Sequence, residues 1–195
     1  MIYSFDSKDI DQSDIFQSIK FTCENCQPFP AVLITPICDI IIQEGRKAPK
    51  AKYFKFAGII PAATIFSSLA SQLKITKSQL SGQEYIAKET YADFIFLLKN
   101  FLTGAIYPRY YYLPPLDTYF SHSMIDFQLI ETIPYSIEFM KYLSDQKIGS
   151  LKSSWRESIP VRYAAYSSRI GVQSFSDEFI DSLLVENSMF FKRSS

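Results

Sequence analysis

The run VLITPICDIII, residues Val32 to Ile42, decides how the rest of the chain is read. It is almost wholly apolar, which reads as a buried strand. Pro36 has no N–H to give a ladder, so the strand is bent, bulged or split there. Asp39 stands among Ile37, Cys38 and Ile40 to Ile42. So placed, it lies close to the core, where an ionised carboxylate must be paired or hydrogen-bonded. The expectation is a central strand, bent at Pro36, that carries Asp39 inward or to its rim.

Strand signals flank this run. Ile15 to Cys23, IFQSIKFTC, alternates loosely, and ENCQPFP follows as a turn. After the basic loop EGRKAPK, KYFKFAGIIPA (Lys52 to Ala62) reads as a third strand. The period then changes. TIFSSLASQL has helical spacing, the polar KSQLSGQ follows, and Glu84 to Thr103 shows a broad apolar helical face before Gly104. AIYPRYYYL and SMIDFQLI return to strand patterns. From Pro134 onward the chain reads as mostly helical: SIEFMKYL, then SWRESIPVRYAAYSSRIG, then SFSDEFIDSLLVENSMFF. Ser154 with Glu157 makes a capping box, and Pro160 kinks that helix or restarts it near Ser158. The expected fold is α+β: a small, mostly antiparallel SH3-like β-barrel or curled sheet. Residues 1–134 form the barrel-like domain with a two-helix insertion at about 64–104, and residues 135–195 form a helical C-terminal region packed on it.

The chain has 195 residues, with 20 Lys plus Arg balancing 20 Asp plus Glu. No global field therefore favours a nucleic acid or an anionic membrane. The most apolar helical stretch, Ala92 to Leu102, is too short to span a bilayer and holds Asp93 and Lys99. The N-terminus lacks a basic segment followed by an apolar one. Together these point to a cytoplasmic protein with no membrane contact. Three cysteines do not suggest a disulfide framework.

Few residues carry candidate chemistry. Cys23 and Cys26 have zinc-ligand spacing, but the chain lacks a second knuckle, so no metal ligands are assigned. Cys38 with His122, the only histidine, is the one Cys–His combination in the sequence. Apolar neighbours leave Cys38 an inert thiol, so no catalytic residue is assigned. Asp39 requires a cationic partner. Arg162 and Arg169 share a helix face with Tyr166 between them, and this face either anchors the helical tail through Asp39 or holds an acidic ligand. Arg46, Lys47, Lys50 and Lys52 adjoin Tyr53, and Arg109 precedes three tyrosines. Interleaved basic and aromatic residues are how small barrels hold single strands. No phosphate loop, nucleophile elbow or zinc-protease motif is present, and no cofactor is implied.

SDIFQSIKF, VLITPICDI, YYLPPLD, SMIDF and RYAAYSSRIGV together resemble a bacterial family associated with mobile and defence-type genomic contexts. That family's pattern has a "GDI" start, a T-x-x-CD strand, an LPPL segment, a "vDf" strand and an "RfA…RiG" helix. The matching residues are Asp14, Thr35, Cys38, Asp39, Leu113, Pro114, Asp126, Arg162, Arg169 and Gly171. Ser13 replaces the pattern's glycine. More distantly, the opening is similar to the SH3-like barrels of PemK/MazF-type toxins, which cleave RNA; an R-P segment before the second strand is missing here. The resemblance carries no firm activity with it. The absence of a convincing catalytic set, with 47% hydrophobic and 16% aromatic residues, leads to the expectation of a non-catalytic accessory or interaction module that binds a protein partner, in a bacterial defence or toxin–antitoxin-type system. The alternatives are a PemK/MazF-like RNA endonuclease using Arg46, Arg109 and Asp39, and a nucleotide or acidic-ligand sensor built on Asp39, Arg162 and Arg169. Ligand or partner contacts are expected at Asp39, Arg162, Arg169, Cys38, Arg109 and Tyr166.

Overall fold

The computed structural model describes residues 2–5, 9–22, 27–66, 77–80, 83–86, 88–103 and 107–168. Seven strands form one antiparallel sheet: β1 (Tyr3–Ser4), β2 (Asp14–Ile19), β3 (Phe29–Leu33), β4 (Tyr53–Pro61), β7 (Tyr110–Leu113), β8 (Ser123–Pro134) and β9 (Lys147–Leu151). Their spatial order is β1-β9-β2-β3-β4-β8-β7. A separate hairpin joins β5 (Lys77–Leu80) to β6 (Gln83–Ile86). The helices are α1 (Ile37–Ile40), α2 (Lys88–Thr103), α3 (Ile137–Gln146) and α4 (Trp155–Ser167), and residues 62–66 are also helical. Among the described residues no helix is long and apolar enough to cross a membrane.

The α+β, antiparallel expectation is met, but the sheet is not a closed barrel. Its edges, β1 and β7, exchange no ladder. They meet through a side chain instead. The Tyr3 hydroxyl donates to the Pro114 carbonyl at 2.5 Å, and its ring lies edge-on to Phe120 at 6.4 Å. The sheet therefore curls until one tyrosine bridges the gap, and the LPPL segment supplies the acceptor.

Helices cover both faces, which explains why Ala31, Val32 and Leu33 are successive apolar residues, all fully buried. Ile15, Val32, Ala57 and Ile125 point to the face where Ile159, Trp155 and Tyr163 of α4 pack. Phe16, Ala31, Leu33 and Phe56 point to the other, against Leu143, Phe139 and Met140 of α3. Register keeps these sets apart: Ile15 pairs with Val32, Phe16 with Ala31 and Leu33 with Phe56. With both faces buried, alternation no longer marks a strand.

Three sequence expectations are corrected. The Val32 run is not one bent strand. β3 ends at Leu33, and after Pro36 the chain makes the single helical turn α1. The segment after Pro134 is not all helical, because β9 lies between β1 and β2. The insertion holds the β5–β6 hairpin between its helical parts. Gly104, Arg169, Gly171 and the helix expected after Ser174 lie outside the described residues, as do Cys23 and Cys26.

β8 carries a large bulge. Gly58 pairs with Asp126 but its neighbour Ala57 pairs with Ile130, so Phe127 to Leu129 are looped out. Gly58 makes room for this: a Cβ there would stand 2.6 Å from Leu129 Cδ2 and 2.7 Å from Phe29 Cε2. Asp126 secures the bulge by accepting the Gln128 amide at 2.9 Å, and the Phe127 amide donates to the Arg109 carbonyl.

Pro160 lies inside α4, which runs through it. A proline cannot return an N–H to the carbonyl four residues back, here that of Arg156. The Ser13 hydroxyl donates to that carbonyl at 3.3 Å. Ser13 itself is fully buried with φ 66, in the left-handed region that favours glycine. At the start of α4 the Glu157 carboxylate accepts the Ser154 amide, part of the capping box expected from the sequence.

Candidate functional site: a groove between α1, β9 and α4

The groove begins with Pro36. It starts α1 without an N–H of its own, and the Ile41 amide closes the turn on the Ile37 carbonyl. One turn has too few sides to bury four isoleucines. Ile40 goes to the core, while Ile37, Ile41 and Ile42 stay 38%, 50% and 48% exposed. They line a cleft of about 660 Å³ whose other walls include Ile10, Met140 and Leu151.

The floor is polar. Asp14, at the start of β2, is fully buried and meets Lys147 of β9, Oδ2 to Nζ, at 2.8 Å. Ser150 Oγ donates to Asp14 Oδ1 at 2.6 Å, and the Asp11 amide donates to Oδ2 at 2.7 Å. Lys147 Nζ also donates to the Asp9 carbonyl at 2.6 Å. Burial pushes the Asp14 carboxyl above its ordinary range, and the contacts from Lys147, Ser150 and the Asp11 amide only partly offset this. The cross-strand register, Asp14 opposite Ser150, brings these groups together. At the rim Arg156 of α4 reaches Asp11 at 3.3 Å and Glu157 at 3.4 Å, beside Lys152.

The groove continues past Ile37. A hollow of about 290 Å³ shares Asp11, Ile37 and Arg156 with the cleft, and includes Pro160. Pro160 also lines the next hollow, about 430 Å³, with Pro36, Tyr53 and Tyr163.

The structure disperses the residues singled out from the sequence. Asp39 is not in the core. It sits at the surface on α1, ion-paired to Lys50 at 3.0 Å, and the carboxylate raises that ammonium's pKa. Its expected partner Arg162 lies elsewhere, donating to the Leu102 carbonyl at 3.4 Å with its guanidinium over the Tyr111 ring at 5.9 Å. Burial pushes the Arg162 pKa down. Cys38 is exposed, its Sγ 3.8 Å from Asp39 Oδ1. Cys38 and His122 belong to opposite ends of β4: the Ala51 amide donates to Asp39, the Ala62 amide to His122. The strand between them spans about 26 Å at ~3.3 Å per residue, so no Cys–His pair forms. His122 Nδ1 instead meets the Tyr112 hydroxyl at 2.5 Å.

Arg109 forms a two-pronged ion pair with buried Asp126, Nε to Oδ1 at 2.7 Å and Nη2 to Oδ2 at 2.6 Å, and stacks on Tyr110. Tyr166 packs half-buried on the α4 side of the core. Arg46, Lys47, Lys50, Lys52 and Tyr53 form an exposed stretch beside α1. Among the described residues no three His, Cys, Asp or Glu side chains gather as metal ligands.

Sequence reasoning missed the polar floor of the groove, where Lys147 and Ser150 line the cleft and hold Asp14 buried beneath it. Asp14 was visible as an acid ahead of Ile15 and Phe16, but nothing near Lys147 or Ser150 in the chain points to it. No protein-family model matches the chain, and no curated protein matches it.

Proposed function

We propose that the protein is a non-catalytic interaction module that takes a segment of a protein partner into the groove between α1 and α4. The observation that carries this is the outward stance of Ile37, Ile41 and Ile42 beside a built polar floor. Single exposed isoleucines are ordinary, but three together at the lip of a groove mark an interaction surface. A role as an accessory of a bacterial defence or toxin–antitoxin-type system rests on the family resemblance. An SH3-like ancestry of the curled sheet rests on the same ground.

The test is Ile41→Asp with Ile42→Asp. Both side chains are about half exposed, so the double variant should melt within about 1 kcal/mol of wild type. Affinity purification from the native host should recover a partner with the wild type and lose it with the variant. A partner retained by the variant contradicts the proposed surface.

One observation favours the RNA-directed alternative: Tyr53 is 57% exposed next to Arg46, Lys47 and Lys52, a stacking ring beside cations. The cleavage set proposed for it is not gathered in one place, since Asp39 holds Lys50 and Arg109 holds Asp126.

A further inference from the structure

We propose that the groove captures the carboxyl-terminal end of a partner protein, with the terminal carboxylate at the Lys152–Arg156 rim and the last apolar side chains against the isoleucines of α1. This rests on the interaction reading above and specifies the kind of segment that enters.

The shape is the first support. Three hollows of about 660, 290 and 430 Å³ adjoin through shared lining residues. Such a row suits several residues of extended chain, at ~3.3 Å each, better than one compact ligand.

The charges are the second. Among the described residues Lys152 makes no ion pair. Arg156 makes two, both long at 3.3 and 3.4 Å and on a partly exposed side chain. Contacts of this kind contribute little and yield readily to an incoming carboxylate. Asp9 and Asp11 on the same rim disfavour a polyanion, while one carboxylate can be met by Lys152 and Arg156.

Lys147 is the third. Its side chain is only 7% exposed, yet it lines the cleft. Two of its three N–H donors serve Asp14 and the Asp9 carbonyl. The remaining donor suits a carbonyl or carboxylate oxygen of an occupant. Asp14 already neutralises the ammonium, so the floor offers a directed hydrogen bond without an unbalanced charge.

The experiment is a fluorescence-polarisation titration of the full chain. The probe is a labelled hexapeptide pool with Leu, Ile, Val or Phe at its last four positions, in free-acid and C-terminal amide forms. Decanoate serves as competitor. The free-acid pool should bind, and the amide pool should bind about tenfold more weakly or worse. Lys152→Glu, an exposed change, should weaken free-acid binding about fivefold or more while leaving the melting temperature unchanged. Equal binding of acid and amide, no free-acid binding at about 1 mM, or indifference to Lys152→Glu would overturn the proposal. Decanoate binding without peptide binding would assign the groove to a fatty acid and overturn it too. Partner capture that depends on Ile41 while acid and amide bind alike removes this proposal and leaves the interaction reading. Partner capture indifferent to Ile41→Asp removes the interaction reading and, with it, this proposal, which rests on that reading.

Discussion

Lys147→Met should lower the unfolding free energy by about 3–5 kcal/mol, the largest single effect expected in this chain. The substitution leaves the Asp14 carboxylate fully buried without its cation. Ser150 and the Asp11 amide still donate to it, but two neutral donors do not replace an ammonium. Removing both charges is different. Asp14→Asn with Lys147→Met should cost clearly less than the sum of the single changes, with a coupling of about 2 kcal/mol or more. Urea unfolding at neutral pH measures all four corners of the cycle. A loss under about 1 kcal/mol for Lys147→Met would show that the pair is not part of the structural floor. The pH dependence has a definite sign. Asp14's carboxyl is raised above its ordinary 3.8 in the fold. Just above that value the native state holds more protons than the unfolded chain, so this group's contribution falls as pH rises. Asp14→Asn should remove that component of the slope.

Arg109→Ala should cost about 2–3 kcal/mol, because it strips both prongs from the buried Asp126 carboxylate. Partial exposure of Arg109 keeps the figure below that for Lys147. Asp126 also holds the β8 bulge through the Gln128 amide, so loosening it should raise hydrogen exchange at Phe127 and Gln128. Arg109→Lys keeps the charge but loses the fork, and should recover only part of the loss. The outcome bears on the RNA-cleaving alternative. If Arg109 served catalysis, expression of the wild type would arrest growth and Arg109→Ala would abolish that arrest. A destabilised variant with no growth arrest from the wild type fits a structural Arg109.

The parts of the fold legible in the sequence are those where local pattern and tertiary role agree. Tyr53–Pro61 and the start of β8 read as strands because β-branched and aromatic residues are bounded by turn signals. SIEFMKYL read as a short helix by its pattern, and Ser136 caps it by accepting the Phe139 amide. β9 escaped notice because KIGSL is short, has a glycine at its centre and opens on a lysine. It is a strand only because β1 and β2 pair with both its edges. α1 escaped because one turn shows no period, and its isoleucines favour strands. That single error moved Asp39 from the surface to the core and suggested a partnership with Arg162 that does not form. Asp14, the most deeply buried acid among the described residues, finds its lysine through sheet pairing across most of the chain, a relation no local pattern encodes.

The central claim is that the groove beside α1 receives a protein partner. Photo-crosslinking tests it most directly, with p-benzoylphenylalanine at position 41 and, as a control, at position 96. Phe96 is 70% exposed on α2, away from the groove. In native-host cells the probe at position 41 should give a discrete crosslinked species of defined mass and the probe at 96 should give none. A species formed from position 96 and absent from position 41 would contradict the account.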